Sequence, residues 1–565
     1  MKVTIGQINT TNGDIDGNVE KILRAIAKAK ADDSDLVILP ELATHGYTSQ
    51  DWFQDPDIIA GAGEPLKKII PATVGITAVV GTIRINEDND GRRLFNSAAV
   101  IHDGRLLGFA DKTLLPEYDV FDDPRYFEPG EERRLFEIDG TKMGVAVCED
   151  FWNDKTFWED RLYGVDPTDE LIGMGAEIIV TINASPFNKG KIHTRCEMVA
   201  HRARTEKVPI VFVNLVGGND GIIFDGASLI ADEEGDIILQ AKAFEEFVGT
   251  VVLDVGKPDS RGITGNEIET VRRALVLGIR DYALKNRFEK AVLGLSGGID
   301  SALVAALACE ALGPENVLCV LMPSPFSSEG SVKDSERLVA NLGCDSRIEP
   351  ITPAFDALLD QLEFKKPTKG GENLAAENMQ SRIRGLILMA ISNAEGRLVL
   401  ATGNKSELAV GYCTLYGDTN GGLAVIGDVL KTEAYDIARR MNETAGRDLI
   451  PVEIIEKAPS AELAPDQFDS DSLPEYALMD PVLKLYFENK LSPKEIIERG
   501  HDAGLVYMLL NKVESPANEF KRRQLPPTLI VSKNAIGIGR RRPVTHKYRR
   551  EDSGVRIQDS AKNHA

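Results

Sequence analysis

Lys290-Ala291-Val292-Leu293-Gly294-Leu295-Ser296-Gly297-Gly298-Ile299-Asp300-Ser301 runs from an apolar, β-prone stretch through a Gly-rich turn into ALVAALACEAL (302–312), a helical segment. Strand, Gly-rich turn and helix in that order form the opening unit of a doubly wound parallel sheet. Consecutive backbone N–H groups at such a turn, with the positive end of the following helix, cradle phosphate oxygens. The Lys of the G-x-x-x-x-G-K-[ST] loop is missing, so this turn is not a γ-phosphate-transferring P-loop. Asp300 adds a carboxylate, the hard oxygen ligand that Mg²⁺ on a phosphate prefers.

Outward from this unit the alternation continues. NVLCVLMPS (316–324) and RLVLATGN (397–404) read as strands, while SSEGSVKDSERLVANLG (327–343) and AENMQSRIRGLILMAISNAE (376–395) read as helices. ETVRRALVLGIRDYALKN (269–286) places an amphipathic helix ahead of the turn. Residues 2–255 have another texture: short β-like runs such as VTIGQI (3–8), DLVILP (35–40), KMGVAVC (142–148) and PIVFVNLV (209–216), separated by helical patterns at 18–32 and 191–208. Asp103-Gly104 and Glu234-Gly235 supply hairpin turns between pairs of these runs. The expected organisation is a layered α/β domain at 1–255, a Pro- and Gly-rich linker GKPDSRGITG at 256–265, a doubly wound domain at 266–550 and a disordered tail at 551–565.

Composition bounds what such a chain does. With 565 residues, 43% hydrophobic and 27% charged, it is long enough for at least two cores and unlike a disordered chain. A net charge of −23 opposes binding to nucleic acid or an anionic membrane, because phosphates are repelled. Six cysteines without C-x-x-C spacing exclude a disulfide framework or a zinc ribbon. No signal peptide and no membrane-spanning run is read in the sequence, which points to the cytoplasm.

Three reactive residue types stand at strand ends of the first domain: Glu41 after DLVILP, Lys112 after GRLLGFAD and Cys148 after MGVAV. A thiolate attacks a carboxamide carbon, a carboxylate takes the thiol proton and later activates water, and an ammonium stabilises the oxyanion. Their contexts, Pro40-Glu41-Leu42, Asp111-Lys112-Thr113-Leu114-Leu115-Pro116 and Val147-Cys148-Glu149-Asp150, resemble the nitrilase superfamily over roughly the first 255 residues. That resemblance implies an αββα sandwich with Glu41 as base, Lys112 as stabiliser and Cys148 as nucleophile. It also implies that Glu117 is the additional carboxylate that positions substrate. The stretch from Leu115 to Phe127 is similar to the glutaminase branch attached to NAD⁺ synthetases, which implies glutamine contacts from Tyr118, Ser185 and Lys191.

In the second domain SGGxDS resembles the loop of ATP-pyrophosphatases of the adenine nucleotide α-hydrolase-like fold, which grips pyrophosphate while a carboxylate is adenylated. Gly294, Leu295, Ser296, Gly297, Gly298, Ile299, Asp300 and Ser301 are then ATP-binding residues. Ala401-Thr402-Gly403-Asn404-Lys405-Ser406-Glu407, with Gly411-Tyr412, Gly417-Asp418 and Asp428-Val429-Leu430-Lys431-Thr432, resembles the NAD⁺ synthetases. The resemblance implies ATP contact from Thr402, deamido-NAD⁺ contacts from Asn378, Glu407, Tyr412 and Lys521, and Mg²⁺ held by Asp300 and Glu407. It implies further that the assembly is a homo-oligomer, an octamer, with glutamine, ATP and deamido-NAD⁺ as small-molecule substrates. Two rival readings remain at this level: a synthetase of the same type with another acceptor, and a nucleotide-sensing module with an inert hydrolase half.

Overall fold

The computed structural model describes residues 1–88, 90–253, 266–368 and 373–546, and the chain divides into two compact units, Met1–Gly265 and Asn266–Ala565. The expected linker at 256–265 and tail at 551–565 lie outside the described residues.

The first unit holds two six-stranded sheets. One runs Phe247–Val252, Lys2–Gln7, Leu36–Ile38, Thr77–Ile85, Leu94–His102, Arg105–Asp111, and the other Ile237–Gln240, Leu229–Ala231, Ile210–Asn214, Ile178–Asn183, Thr141–Val147, Leu135–Ile138. Period-2 alternation assigns the faces. Leu36 and Ile38 point inward to a core shared with Val145, Val147, Ile178 and Val180 of the other sheet. Val37 and Leu39 point outward to Ile22 and Ile26 of helix Ile15–Ala31. On the far side Leu171, Met198 and Val199 of helices Pro167–Gly173 and Lys191–Glu206 cover Ile179, Ile210 and Phe212. The result is the four-layer α-β-β-α stack that the resemblance implies. At the expected hairpin, Asp103 (φ 45°) and Gly104 (φ 72°) form a two-residue turn between His102 and Arg105, which pair directly. Positive φ at both turn residues fits the strand twist.

The second unit is built on five parallel strands in the order Asp345–Ile348, Val317–Leu321, Lys290–Gly294, Arg397–Ala401, Leu423–Ala424. Strand order reverses between Lys290–Gly294 and Arg397–Ala401, and a doubly wound sheet opens its ligand crevice at that point. The Gly-rich turn leaves one of these strands and the segment from Thr402 to Glu407 leaves the other. Ile383, Leu388 and Ile391 of helix Leu374–Glu395 pack on Val292, Val320 and Val399. A helical end not foreseen as a separate core follows, where Leu483, Val506, Leu509 and Leu510 join helices Tyr476–Phe487 and Ala503–Val513.

Candidate active sites

Strand Thr141–Val147 ends at Cys148, whose φ of 49° and ψ of −101° form a backbone that L residues rarely adopt, and helix Glu149–Trp152 begins on the next residue. A sharp strand-to-helix turn of this kind presents a nucleophile at the sheet's edge. Asp150 holds it in place. Its carboxylate accepts from Leu114 N (2.7 Å), Thr113 N (3.0 Å) and Val147 N (3.4 Å), which ties the turn to the segment following Lys112.

The three residues expected from sequence meet here. Glu41 Oε1 accepts from Lys112 Nζ at 2.7 Å and from Asn96 Nδ2 at 2.7 Å, while Oε2 accepts from Ala184 N at 2.8 Å. The same Ala184 N–H faces the Cys148 thiol. Lys112 Nζ also donates to Asp123 Oδ2 at 2.7 Å, and Tyr47 OH donates to Asp123 Oδ1 at 3.0 Å. The side chains of Lys112 and Glu41 are both 0% exposed, so their charges act in a medium of low polarizability. Burial pushes the Cys148 thiol well above its ordinary range, the Glu41 charge adds to this, and Lys112 opposes it. Burial works against the Lys112 charge, but the Asp123 and Glu41 carboxylates reverse that and hold the ammonium protonated. At rest, then, a neutral thiol stands beside a carboxylate and a fixed cation.

Around the thiol lie further polar groups. Tyr118 OH donates to both oxygens of Glu149 at 3.0 Å, and burial raises the Glu149 carboxyl above its usual range. Lys191 opens helix Lys191–Glu206 with its ammonium 5.2 Å from the centre of the Trp152 ring. Burial, with Arg195 beside it, brings Lys191 down to about 8, with Asp225 and Glu149 opposing. Ser185 is buried, with its N–H on Asn214 Oδ1 at 2.8 Å and its Oγ 3.5 Å from Arg195 Nη2.

Glu117 makes no contact with Lys112. It is exposed, and the carboxylate against Lys112 is that of Asp123. Buried Phe121 and Phe127 fold the intervening segment so that Asp123 turns inward, while its N–H bonds back to Pro116 O at 3.1 Å. Glu117 is left on the outer side. The overlooked signal was an acidic residue set between aromatic anchors, and likewise a lone Asn, Asn96, inside the apolar strand Leu94–His102.

In the second unit a cavity of about 1760 Å³ is lined by Gly294, Leu295, Ser296, Gly298, Ile299, Asp300 and Ser301, together with Thr402, Glu407, Tyr412, Asn378 and Lys521. Gly297 has φ 79°, and a Cβ there would stand 2.5 Å from Ser331 O, so only glycine fits. Ser301 Oγ accepts from Ser296 N at 3.2 Å and donates to Gly298 O at 3.1 Å, shaping the turn. Lys431 Nζ bridges Asp300 Oδ2 (2.5 Å) and Glu407 Oε1 (3.1 Å), while Asn404 Nδ2 donates to Asp300 Oδ1 at 3.2 Å. Burial raises Glu407 to about 7 even with Lys431 opposing. Among the described residues no group of three or more His, Cys, Asp or Glu forms a metal cage. Two convergent carboxylates still fit Mg²⁺, which takes one or two protein oxygens and draws the rest from phosphate and water. Thr414 Oγ1 donates to Asn378 Oδ1 at 2.8 Å, and Lys521 Nζ donates to Gly411 O (3.1 Å) and Cys413 O (3.0 Å), either side of Tyr412.

A buried Cys-Glu-Lys cluster on an αββα unit and a Gly-rich strand-to-helix turn lining a large cavity on a doubly wound unit define a carbon–nitrogen hydrolase joined to a nucleotide-dependent synthase. Accordingly, residues 2–258 match the carbon-nitrogen hydrolase family and residues 271–525 match NAD synthase. The chain is 42% identical to the glutamine-dependent NAD(+) synthetase of Synechocystis sp., over 98% of this chain and 100% of that protein. It is 40% identical to the protein of the same name from Thermotoga maritima, over 97% and 99%. The solved glutamine-dependent NAD⁺ synthetase of Acinetobacter baumannii, in complex with ADP, superposes with a TM-score of 0.74 at 35% identity over 96% of this chain and 98% of that one. That of Cytophaga hutchinsonii, 20% identical, shares the fold with a TM-score of 0.80 over 96% and 97%. The chain belongs to the glutamine-dependent NAD⁺ synthetase family.

Proposed function

We propose that this protein amidates deamido-NAD⁺ to NAD⁺ with ATP, using ammonia released from glutamine, and yields AMP, diphosphate and glutamate. The observation that carries this reading is the fully buried Lys112–Glu41 pair beside Cys148 at a strained strand end, in a chain that also holds the Asp300 and Glu407 carboxylates at a phosphate-cradling turn.

In the first domain, which we place at residues 1–255, Glu41 takes the thiol proton and Cys148 attacks the carboxamide carbon of glutamine. The Lys112 ammonium, already held at full charge, stabilises the oxyanion without reorganising. Ammonia leaves, and Glu41 activates the water that opens the thioester. The Glu149 carboxylate, with Tyr118 on it, suits the α-ammonium of glutamine, and Lys191 suits its α-carboxylate, with Ser185 as a further contact.

In the second domain, which we place at residues 266–550, the nicotinate carboxylate attacks the α-phosphorus of ATP and pyrophosphate departs into the turn from Gly294 to Ser301. Thr402 contacts ATP, while Asn378, Glu407, Tyr412 and Lys521 hold deamido-NAD⁺. Ammonia then displaces AMP from the acyl-adenylate; without adenylation the leaving group would be oxide. Asp300 and Glu407 would hold Mg²⁺, which neutralises phosphate charge when bound. A cytoplasmic homo-oligomer completes the proposal, and light scattering reads its order.

The test is product identification by mass spectrometry with ATP, Mg²⁺, glutamine and deamido-NAD⁺. Formation of NAD⁺, AMP and glutamate in equal amounts is expected. A different amidated product, or ADP in place of AMP, would overturn the reading.

A further inference from the structure

Three cysteines that the reaction does not use meet inside the second unit. Cys319 Sγ and Cys344 Sγ lie 3.8 Å apart, and the Cys309 thiol is near enough to Cys344 for each to shift the other's ionisation. Topology builds this cluster. Cys319 lies in the middle of strand Val317–Leu321, whose parallel neighbour Asp345–Ile348 pairs in the register Cys319↔Ser346. Cys344 stands two residues before Ser346 and so falls on the same face of the sheet. Cys309 comes from helix Ile299–Leu312, which packs against Val317–Leu321. All six cysteines are unlinked thiols, and Cys344 is the least covered of these three, at 9% exposure against 7% for Cys309 and 0% for Cys319.

We propose that Cys344 and Cys319 are a peroxide-sensitive dithiol, in which Cys344 is the thiol that reacts and Cys319 the one that resolves. The Cys344 sulfur attacks one oxygen of hydrogen peroxide, the O–O bond breaks, the thiol proton goes to the departing hydroxide as water, and Cys344 becomes a sulfenic acid. The Cys319 sulfur then attacks that sulfur, the S–O bond breaks, the Cys319 proton leaves with the oxygen as a second water, and an S–S bond forms. Two thiols lose two electrons and two protons, and one peroxide is reduced to two waters. The neighbouring thiols of Cys309 and Cys319 favour the Cys344 thiolate over the thiol, and the thiolate is the attacking form. Joining the sulfurs requires closing 3.8 Å to a bond of about 2.0 Å, a movement within reach of side-chain rotation and small strand shifts. The strand carrying Cys319 runs directly into Met322 and Pro323, which line the nucleotide cavity, so the link forms beside the synthetase site.

This inference is independent of the proposed reaction and is tested on the full chain by non-reducing peptide mapping. The protein is treated with hydrogen peroxide, denatured in iodoacetamide and digested. A peptide pair joining Cys319 to Cys344 with the loss of two hydrogens is expected, restored to two separately alkylated peptides by dithiothreitol. Cys309→Ser should retain the link and Cys344→Ser should lose it. If peroxide leaves Cys319 and Cys344 fully alkylated, joins Cys344 to Cys309, or drives Cys344 to sulfinic acid, the assignment fails. The unsubstituted protein alone decides this, whatever the folding of the variants.

Discussion

Glu41 and Asp123 share one ammonium, yet only Glu41 also shares the Ala184 N–H with the Cys148 thiol. Glu41 is therefore the better placed of these two carboxylates to take the Cys148 proton, while Asp123 sits on Lys112 and favours its charge. Glu41→Gln keeps the shape but removes the base, and glutamine hydrolysis should fall by about 10²- to 10⁴-fold while ammonium-driven synthesis is unchanged; parent-level glutamate release would deny Glu41 the role. Lys191 gives a pH signature. Burial places its folded pKa at about 8, below the ordinary lysine value, so the ammonium is present below about pH 8 and lost above it. If it holds the α-carboxylate, KM for glutamine rises above about pH 8, by up to tenfold per unit, and Lys191→Met raises KM at neutral pH and removes that dependence. A KM that stays level across this range in the parent protein would exclude the contact. At this scale the sequence was legible where chemistry is rare in its surroundings, as with Cys148 closing an apolar strand. It gave no hint of Asp123, because which way a loop side chain turns is set by the packing of its neighbours.

Segments between residues explain why the turns work. At the Gly-rich turn, φ 79° at Gly297 and the Ser331 carbonyl in the space of any Cβ impose two separate barriers to a side chain. Gly297→Ala must therefore twist the backbone and displace Ser331, at a cost of about 1–3 kcal/mol in the turn itself. NAD⁺ formation should drop by at least tenfold with either nitrogen donor, whereas glutamine hydrolysis, measured as glutamate release, persists; retention of parental synthesis would mean that the turn tolerates another backbone. Gly298→Ala, whose Cβ would stand 3.4 Å from Ser296 Oγ in ordinary contact, should be milder. Elements with strong periodicity were legible from sequence, among them Lys290–Gly294 and helix Glu267–Lys285. Asp345–Ile348 was not, because all four of its residues are exposed and its place comes from pairing with Val317–Leu321 alone. Leu135–Ile138 and the hairpin Val216–Asn219 with Ile222–Asp225 also lacked a clear pattern, since they are short and find their faces through neighbouring strands.

On the scale of the whole molecule, the two units carry separable steps, and the point at which they can be separated is the ammonia itself. On the proposed mechanism Cys148 is needed only to make ammonia from glutamine, whereas Asp300, Glu407 and the Gly-rich turn are needed whatever the nitrogen source. Cys148→Ala should lower glutamine-driven NAD⁺ formation by on the order of 10³-fold or more, as expected for removal of a nucleophile. The Cys148 side chain is packed in the first unit's own core, so a smaller residue there leaves the second unit's contacts untouched, and ammonium-driven formation should stay within about twofold of the parent by the additivity of independent sites. Asp300→Ala is the reciprocal case. It removes a carboxylate from the pair around Lys431 and, on the proposed metal binding, one of the two hard ligands, so both donors should fail together, by on the order of 10²- to 10³-fold. Steady-state NAD⁺ assays of each variant with glutamine or with saturating ammonium give four ratios to the parent, and glutamate release with glutamine gives two more. If Cys148→Ala loses both donors equally, the nucleophile has a second role in the synthetase step. If Asp300→Ala spares ammonium-driven synthesis, its carboxylate is structural and the metal has other ligands.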